Sequence, residues 1–435
     1  MVSKQKIVLI GAGSLQFGLG SVGNILESKI LEDSTICLHD INAETLELTY
    51  KVCESAIDKK KKNFELEYTI SRPEALKGAT FIINAIEIPP RFKLLDIDYR
   101  IPQEFGCKQI TGENGGPGGL FHSLRVIPPI LDICEDVQKI CPNAYFINFS
   151  NPMSRICLAI KRKYPSLRFV GLCHEFQHFI VLVSKILKTP LPNLEISGYG
   201  LNHFGNILNI KYKDTGMDAY PELRKKGPDF LRKIDTYDGF KLIAFLLETY
   251  GYCPYTTDSH YGEYLQWAWE YADIPAVRRF WRIYERSLQL GFEKTKNLIE
   301  KGRGDRLVKP DEESAIPIIE GIITDSNHIE PSVNIPNDNI ITNLPRDSVI
   351  ECPAIITKEG LKGIKLGEYP KGIAALLRTQ IAVQDLVVEA IFKQSKDIAL
   401  QALLADPVVE TYWQAKKILD EMLKVEADYL QIELE

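Results

Sequence analysis

Apolar residues arrive in short, nearly unbroken runs through the first third of the chain: KIVLIGAG, TICLHDI, ATFIINAIE and AYFINFSNP. Runs of this length without alternation predict strands buried on both faces of a parallel sheet. FELEYTI alternates instead and predicts a strand with one wet face. Between these runs, NAETLELTYKVCESAIDKKKK places apolar residues at helical spacing, with Asn42 available to cap its start. Strand and helix signals alternate to about residue 170, which predicts a doubly wound α/β sheet. The pattern changes after about residue 195. NLEISGYGLNHFGNILNIKYKD reads as strand, loop and strand, and helical spacing returns over 276–301, 371–397 and roughly 407–429. A polar, proline-containing segment, 303–355, lies between. Two domains are expected: a nucleotide-binding α/β domain over 1–195, and an α+β domain over 196–435 that supplies substrate, metal and oligomer contacts.

Composition narrows the classes. A formal net charge of -6 argues against a nucleic-acid or anionic-membrane partner, which would select a basic face. No stretch approaches the roughly 20 apolar residues of a membrane helix. The apolar run at the start is too short for a signal core, so a cytoplasmic protein is expected. Nine cysteines, scattered without a CxxC pair, fit a reducing compartment.

GAGSLQFG follows the first strand and opens a helix. Gly11 and Gly13 permit a tight turn and close approach to a pyrophosphate, beside Ser14 and the free N–H groups of the helix start. Gly18 comes two positions late for the usual GxGxxG, so the loop alone is a weak signal. Asp40 strengthens it: it ends the second strand, 27 residues after Gly13, where an acid binds ribose hydroxyls and favours NAD over NADP. A Rossmann-type sheet binding NAD is therefore expected, in the architecture of lactate and malate dehydrogenases.

Ligands of such a sheet lie at the carboxyl ends of its strands. Three stretches fall there: NFSNPMS with Asn148 and Asn151, GLCHEFQH at 171–178, and GLNHFG with Asn202 and His203. Asn148 is expected at the cofactor. A thiolate and an imidazole, from Cys173 and His203, make a good pair for a divalent transition metal whose remaining positions are open to substrate or water. A malate- or lactate-type dehydrogenase is the alternative from another class, but it pairs an aspartate with its histidine, near where this chain has LCHE.

With these motifs in hand, the chain resembles glycoside hydrolase family 4, the NAD- and divalent-metal-dependent glycosidases, many of which use Mn²⁺. The resemblance rests on VLIGAGS, GPGGLFHSLRVIP at 116–128, NPMS at 151–154, GLCHE at 171–175, GLNHF and DSHYGEYLQW at 258–267. It implies that Cys173 and His203 hold the metal and that Asn151 and Asn202 bind sugar hydroxyls. Glu113 stands where many relatives carry aspartate and is expected near the substrate, as is Arg91. Cys-His-Glu is similar to the α-glucosidase branch, acting on unphosphorylated α-glycosides; the HxxEY run at 260–264 is closer to galactoside- and uronide-directed relatives. The implied chemistry is oxidation at C3 by NAD⁺, deprotonation at C2, elimination of the aglycone, water addition and return of the hydride. Asp258 or His260 is the expected C2 base, with Tyr264 third, and His174 is placed to assist the leaving group. A homodimer or homotetramer is the family expectation.

Overall fold

The computed structural model describes residues 4–14, 17–234, 238–311 and 314–435. Its first six strands are β1 (Lys6–Ile10), β2 (Thr35–His39), β3 (Glu65–Thr69), β4 (Phe81–Asn84), β5 (Tyr145–Asn148) and β6 (Arg168–Gly171). They are parallel and lie in the order 3-2-1-4-5-6. That is the dinucleotide-binding order, with its crevice at the carboxyl edge beside β1, where the order reverses. β1, β4 and β5 are almost wholly buried, as their unbroken apolar runs require, and β3 at the edge is largely exposed. Asn42 caps the helix Ala43–Lys60 by accepting from Thr45 N at 3.1 Å.

The sheet continues past β6. Gly171 pairs antiparallel with Asn334 of β9 (Ile329–Pro336), and β10 (Val349–Thr357), β7 (Leu194–Leu201) and β8 (Phe204–Tyr212) follow outward. A short β11 (Gly360–Gly363) pairs with β10. The two expected halves therefore share one sheet of eleven strands among the described residues. The segment 303–355, to which the sequence pattern assigns no element, carries the helix Ala315–Thr324, β9 and most of β10. Its prolines hid the strands: Pro353 sits where the β9–β10 register shifts, a bulge that needs no ladder N–H.

The long helices of the second half run Ile274–Glu300 and Lys371–Lys393. The expected terminal helix, roughly 407–429, runs Tyr412–Val425, and a separate helix, Lys396–Ala405, precedes it across Pro407. The chain end is tied back to the first half: Arg125, in the helix Gly116–Ile140, pairs with Asp98 (Nη1–Oδ1 3.0 Å) and with Glu426, all buried. Among the described residues no helix is long and apolar enough to cross a membrane.

Candidate active site

Cys173 stands two residues beyond β6, just before the helix Glu175–Leu187. His203 lies in the two-residue turn that joins β7 to β8, whose ends are fixed by the pairing of Leu201 with Phe204. The turn holds His203 at φ 60°, a left-handed conformation uncommon outside glycine. Sheet pairing thus brings Cys173 Sγ to 3.4 Å from His203 Nε2. Asn202, the other turn residue, donates to Glu351 Oε2 of β10 at 3.0 Å. Burial raises the Glu351 carboxyl to about 7.

The second wall is the loop Thr111–Gly115, held from across the site by Glu263. One carboxylate accepts from three successive amides, Glu113 N (2.9 Å), Asn114 N (2.8 Å) and Gly115 N (2.9 Å), and from the Thr111 hydroxyl. A side chain at Gly115 would put its Cβ 2.5 Å from the Glu263 carbonyl oxygen, so glycine permits the close approach. The loop presents Asn114 to His203, with Nδ2 3.1 Å from Nδ1, and Glu113 to Arg91, with Oε1 3.4 Å from Nη2. Arg91 also meets Glu87 at 3.6 Å and the Tyr284 hydroxyl at 3.3 Å.

His260 supplies the third wall, from the short helix Asp258–Gly262. Its ring packs 4.2 Å from that of His203. Its Nδ1 is 2.6 Å from Ser259 Oγ, and that hydroxyl donates to Asp238 Oδ2 at 2.7 Å. A serine hydrogen given to Asp238 leaves a lone pair for Nδ1–H, so the free lone pair of His260 is at Nε2. Burial opposes charging of His260, but Glu175, Asp238, Glu113 and Glu263 outweigh it and raise its pKa above the usual imidazole value. The same surroundings act oppositely on His203: burial, then the His260 and His174 rings, push it well below that value. Burial pushes the Cys173 thiol well up.

Two expected catalytic groups have other occupations. Asp258 is fully buried, and its carboxylate accepts from Lys241 N, Leu242 N, Ile243 N and Asp273 N at 2.8–3.2 Å. It caps the helix Lys241–Tyr250. Tyr264 is buried, its ring 4.7 Å from Phe204 and its hydroxyl 3.4 Å from the Asn202 carbonyl; burial raises that hydroxyl well above 10. His174 is about half exposed, its ring 4.5 Å from that of His178. Asn148, expected at the cofactor, is wholly buried, and its amide bonds Asn84, Ser150 and Met153, tying strand ends together. Asn151 Oδ1 accepts from Met153 N at 3.3 Å, at the start of the next helix.

The donor set fits a divalent cation. Bonds of about 2.3 Å to sulfur and about 2.1 Å to nitrogen, meeting at roughly 90–110°, put those two atoms about 3.1–3.6 Å apart. Cys173 Sγ and His203 Nε2 fall inside that range at 3.4 Å. Glu113, His203 and His260 each offer a ligand atom, and these lie within 4.8 Å of one another. A metal also takes imidazole in its neutral form, the one that burial imposes on His203. The glycine loop fits a dinucleotide. Gly11 has φ 87°, and a Cβ there would stand 2.8 Å from the Ala85 carbonyl. Asp40 Oδ2 accepts from Gly13 N at 2.7 Å and Oδ1 from Asn42 N at 2.9 Å, so the acid is fixed at the loop beside an exposed Ser14. Leu15 and Gln16 lie outside the described residues.

Comparison with known proteins decides the family. The model of the family 4 glycosyl hydrolases matches residues 6–189, and that of their C-terminal domain matches 198–409. The chain belongs to glycosyl hydrolase family 4. It is 40% identical to an alpha-glucosidase of Erwinia rhapontici over 98% of both chains, and 29% identical to an alpha-galactosidase of Bacillus subtilis over 98% and 99%. A 6-phospho-alpha-glucosidase from gut microorganisms, solved with NAD and Mn²⁺, shares the fold at 22% identity, with a TM-score of 0.86 over the full length of both chains. Within this family 4 chain, sequence reasoning passed over Glu263, Asn114, Ser259 and Asp238. Glu263 lay inside the quoted HxxEY run, where its spacing from His260 was the available signal. Asp238 had none.

Proposed function

We propose that the protein hydrolyses unphosphorylated α-glycosides with NAD and a divalent cation such as Mn²⁺, and that an α-glucoside is its preferred substrate. The observation that carries the reading is the Cys173–His203 pair at 3.4 Å, flanked by Glu113 and His260 at the carboxyl edge of a dinucleotide-binding sheet. The Erwinia rhapontici relative supports the glucoside, and the solved neighbour with NAD and Mn²⁺ supports the cofactors. When bound, NAD would supply a hydride acceptor for C3 of the sugar, and the cation, held by Cys173 and His203, would supply Lewis-acid stabilisation of developing negative charge.

The chain's own residues do the rest. Gly11, Gly13, Ser14 and Asp40 hold the dinucleotide; Cys173 and His203 hold the cation. Asn151 and the Oδ1 of Asn202 orient sugar hydroxyls, and Glu113 stands beside them. His260 accepts the C2 proton at Nε2, with Nδ1 fixed by Ser259 and Asp238. The half-exposed His174 faces the leaving group. Asp258 and Tyr264 brace the loop that carries His260. Arg91 has Glu87 and Glu113 as partners, which leaves it poorly suited to a uronide carboxylate and favours a neutral sugar. A galactoside is the second reading, favoured by the Bacillus subtilis relative and the HxxEY run.

All nine cysteines are unpaired, which supports a reducing, cytoplasmic setting. The helix Ile274–Glu300 buries only Ala276, Val277 and Thr295, and this supports a homo-oligomer that covers more of it. We place the division of labour near residue 195, with the dinucleotide on the first half.

The test is release of nitrophenol from nitrophenyl α-glucoside, α-galactoside and α-glucuronide, with and without NAD⁺ and Mn²⁺. Release that requires both and leaves no accumulated NADH is expected. Chelator-insensitive, stoichiometric NADH would overturn the reading in favour of a dehydrogenase.

A further inference from the structure

We propose that Asn114 is a positioning residue that selects the tautomer of His203, and so decides whether a lone pair or a hydrogen faces Cys173. The inference rests on the reading that Cys173 and His203 hold the cation.

Neutral imidazole carries one ring hydrogen, and the partner of one nitrogen dictates what the other presents. Asn114 Nδ2 lies 3.1 Å from His203 Nδ1, and Nε2 lies 3.4 Å from Cys173 Sγ. With the amide nitrogen donating to Nδ1, the ring hydrogen sits on Nε2 and points at the sulfur. That closes the pair on itself and leaves nothing at Nε2 for a cation. This orientation has a visible defect: Asn114 Oδ1 is buried without a hydrogen-bond partner. Buried polar atoms in native proteins are nearly always paired, so the orphan oxygen calls for an explanation.

Turning the amide over gives that oxygen a partner at the expense of the nitrogen. Oδ1 then accepts from Nδ1–H, Nδ2 takes the unpartnered position, and the lone pair at Nε2 faces Cys173. The cost is the 3.2 Å hydrogen bond from Asn114 Nδ2 to Glu113 Oε2, replaced by an oxygen facing that carboxylate, so the turned state needs a cation at Nε2 to offset it; Glu113 keeps Arg91. Only the side chain is free to turn. Asn114 N is bound to Glu263 Oε2 at 2.8 Å, the amides on either side are bound to the same carboxylate, and a Cβ at Gly119 would stand 2.4 Å from the Asn114 carbonyl carbon. A fixed backbone with one rotatable amide gives two states: closed, with N–H toward sulfur, and open, with the nitrogen lone pair presented. Metal-binding histidines ordinarily donate their second ring N–H to such an acceptor.

The test uses the full chain labelled with ¹⁵N-histidine, where seven histidines keep the spectrum tractable. Long-range ¹⁵N–¹H correlations report the tautomer of His203 without metal, and Co²⁺ titration reports affinity. The metal-free protein should show Nε2–H. Asn114→Asp, which accepts but does not donate when ionised, should show Nδ1–H at alkaline pH before any metal is added. Asn114→Leu should bind Co²⁺ about 10–100-fold more weakly. Nε2–H in metal-free Asn114→Asp at alkaline pH would overturn the inference. So would unchanged Co²⁺ affinity in Asn114→Leu when Cys173→Ser abolishes binding. Absence of Co²⁺ binding by the unaltered protein would overturn the metal reading, and this inference with it.

Discussion

Cys173 and His203 occupy one side of the site and His260 the other, and different forces hold the two sides in place. On the first side the backbone ladder does the positioning: β6 delivers Cys173, and the β7–β8 turn delivers His203. On the second side there is only a five-residue helix, too short to place itself. Three buried carboxylates compensate. Asp258 anchors that segment to the helix Lys241–Tyr250, Glu263 anchors it to the loop Thr111–Gly115, and Asp238 holds Ser259. A side built on the sheet can lose a functional side chain and keep its shape. A side built on buried carboxylates cannot lose one without losing geometry as well.

The sharpest way to break this contrast is on the sheet side. Cys173→Ser is expected to forfeit the cation's stabilisation of the transition state, on the order of 1000-fold in kcat/KM. The melting temperature should barely move and NAD binding should persist, since the glycine loop is untouched. Activity with and without Mn²⁺, a thermal melt and NAD fluorescence titration measure the three. Full activity in this variant would remove the sulfur from the site.

On the other side, Glu263→Ala should act on both quantities. It strands three backbone N–H groups, each buried donor being worth about 1–3 kcal/mol when left unpaired, and leaves the Thr111 hydroxyl only the Ser259 carbonyl, at 3.3 Å. We expect a loss of about 3 kcal/mol or more in denaturant unfolding. Activity should fall on the order of 100-fold as Glu113 and Asn114 drift. Glu263→Gln keeps one acceptor and should fall between. A Glu263→Ala variant as stable as the parent would show that the loop holds itself.

The same division explains what was legible beforehand. The parallel sheet, the glycine loop, Asp40, Cys173 and His203 are all written in local runs, because a strand buried on both faces must be apolar throughout and its functional residues must come at its end. Residues 303–355 were illegible because prolines mask β9 and β10, and only pairing with β6 makes strands of them. Asp258 and Glu263 sit five residues apart in one polar stretch. Both read as candidate chemistry or as nothing, and only the partners, at positions 241–243 and 113–115, separate a helix cap from a loop clamp. Sequence spacing carries no information on which other segment a buried carboxylate meets, whether 15–17 residues away, as for Asp258, or about 150 away, as for Glu263. The histidines were legible as a set, their division of labour was not, because it depends on what each Nδ1 touches.

That dependence yields the smallest expected effect, and the one that bears most directly on the comparison. Ser259→Ala removes the link between Asp238 and His260 but leaves the segment anchored by Asp258 and Glu263, so the fold should hold. What changes is the ring of His260, free to rotate and to carry its hydrogen on either nitrogen. General-base work contributes about 10²–10⁴-fold in all, and losing only its orientation should cost roughly tenfold. The loss should fall on kcat, with KM little changed, because Ser259 is fully buried with its hydroxyl on Asp238 and His260. A substrate deuterated at C2 should show a larger isotope effect in the variant, as proton transfer becomes more nearly rate-limiting. An unchanged kcat would mean that packing against His203, at 4.2 Å, orients His260 by itself. The carboxylate side of the site would then be no more dependent on its polar contacts than the sheet side.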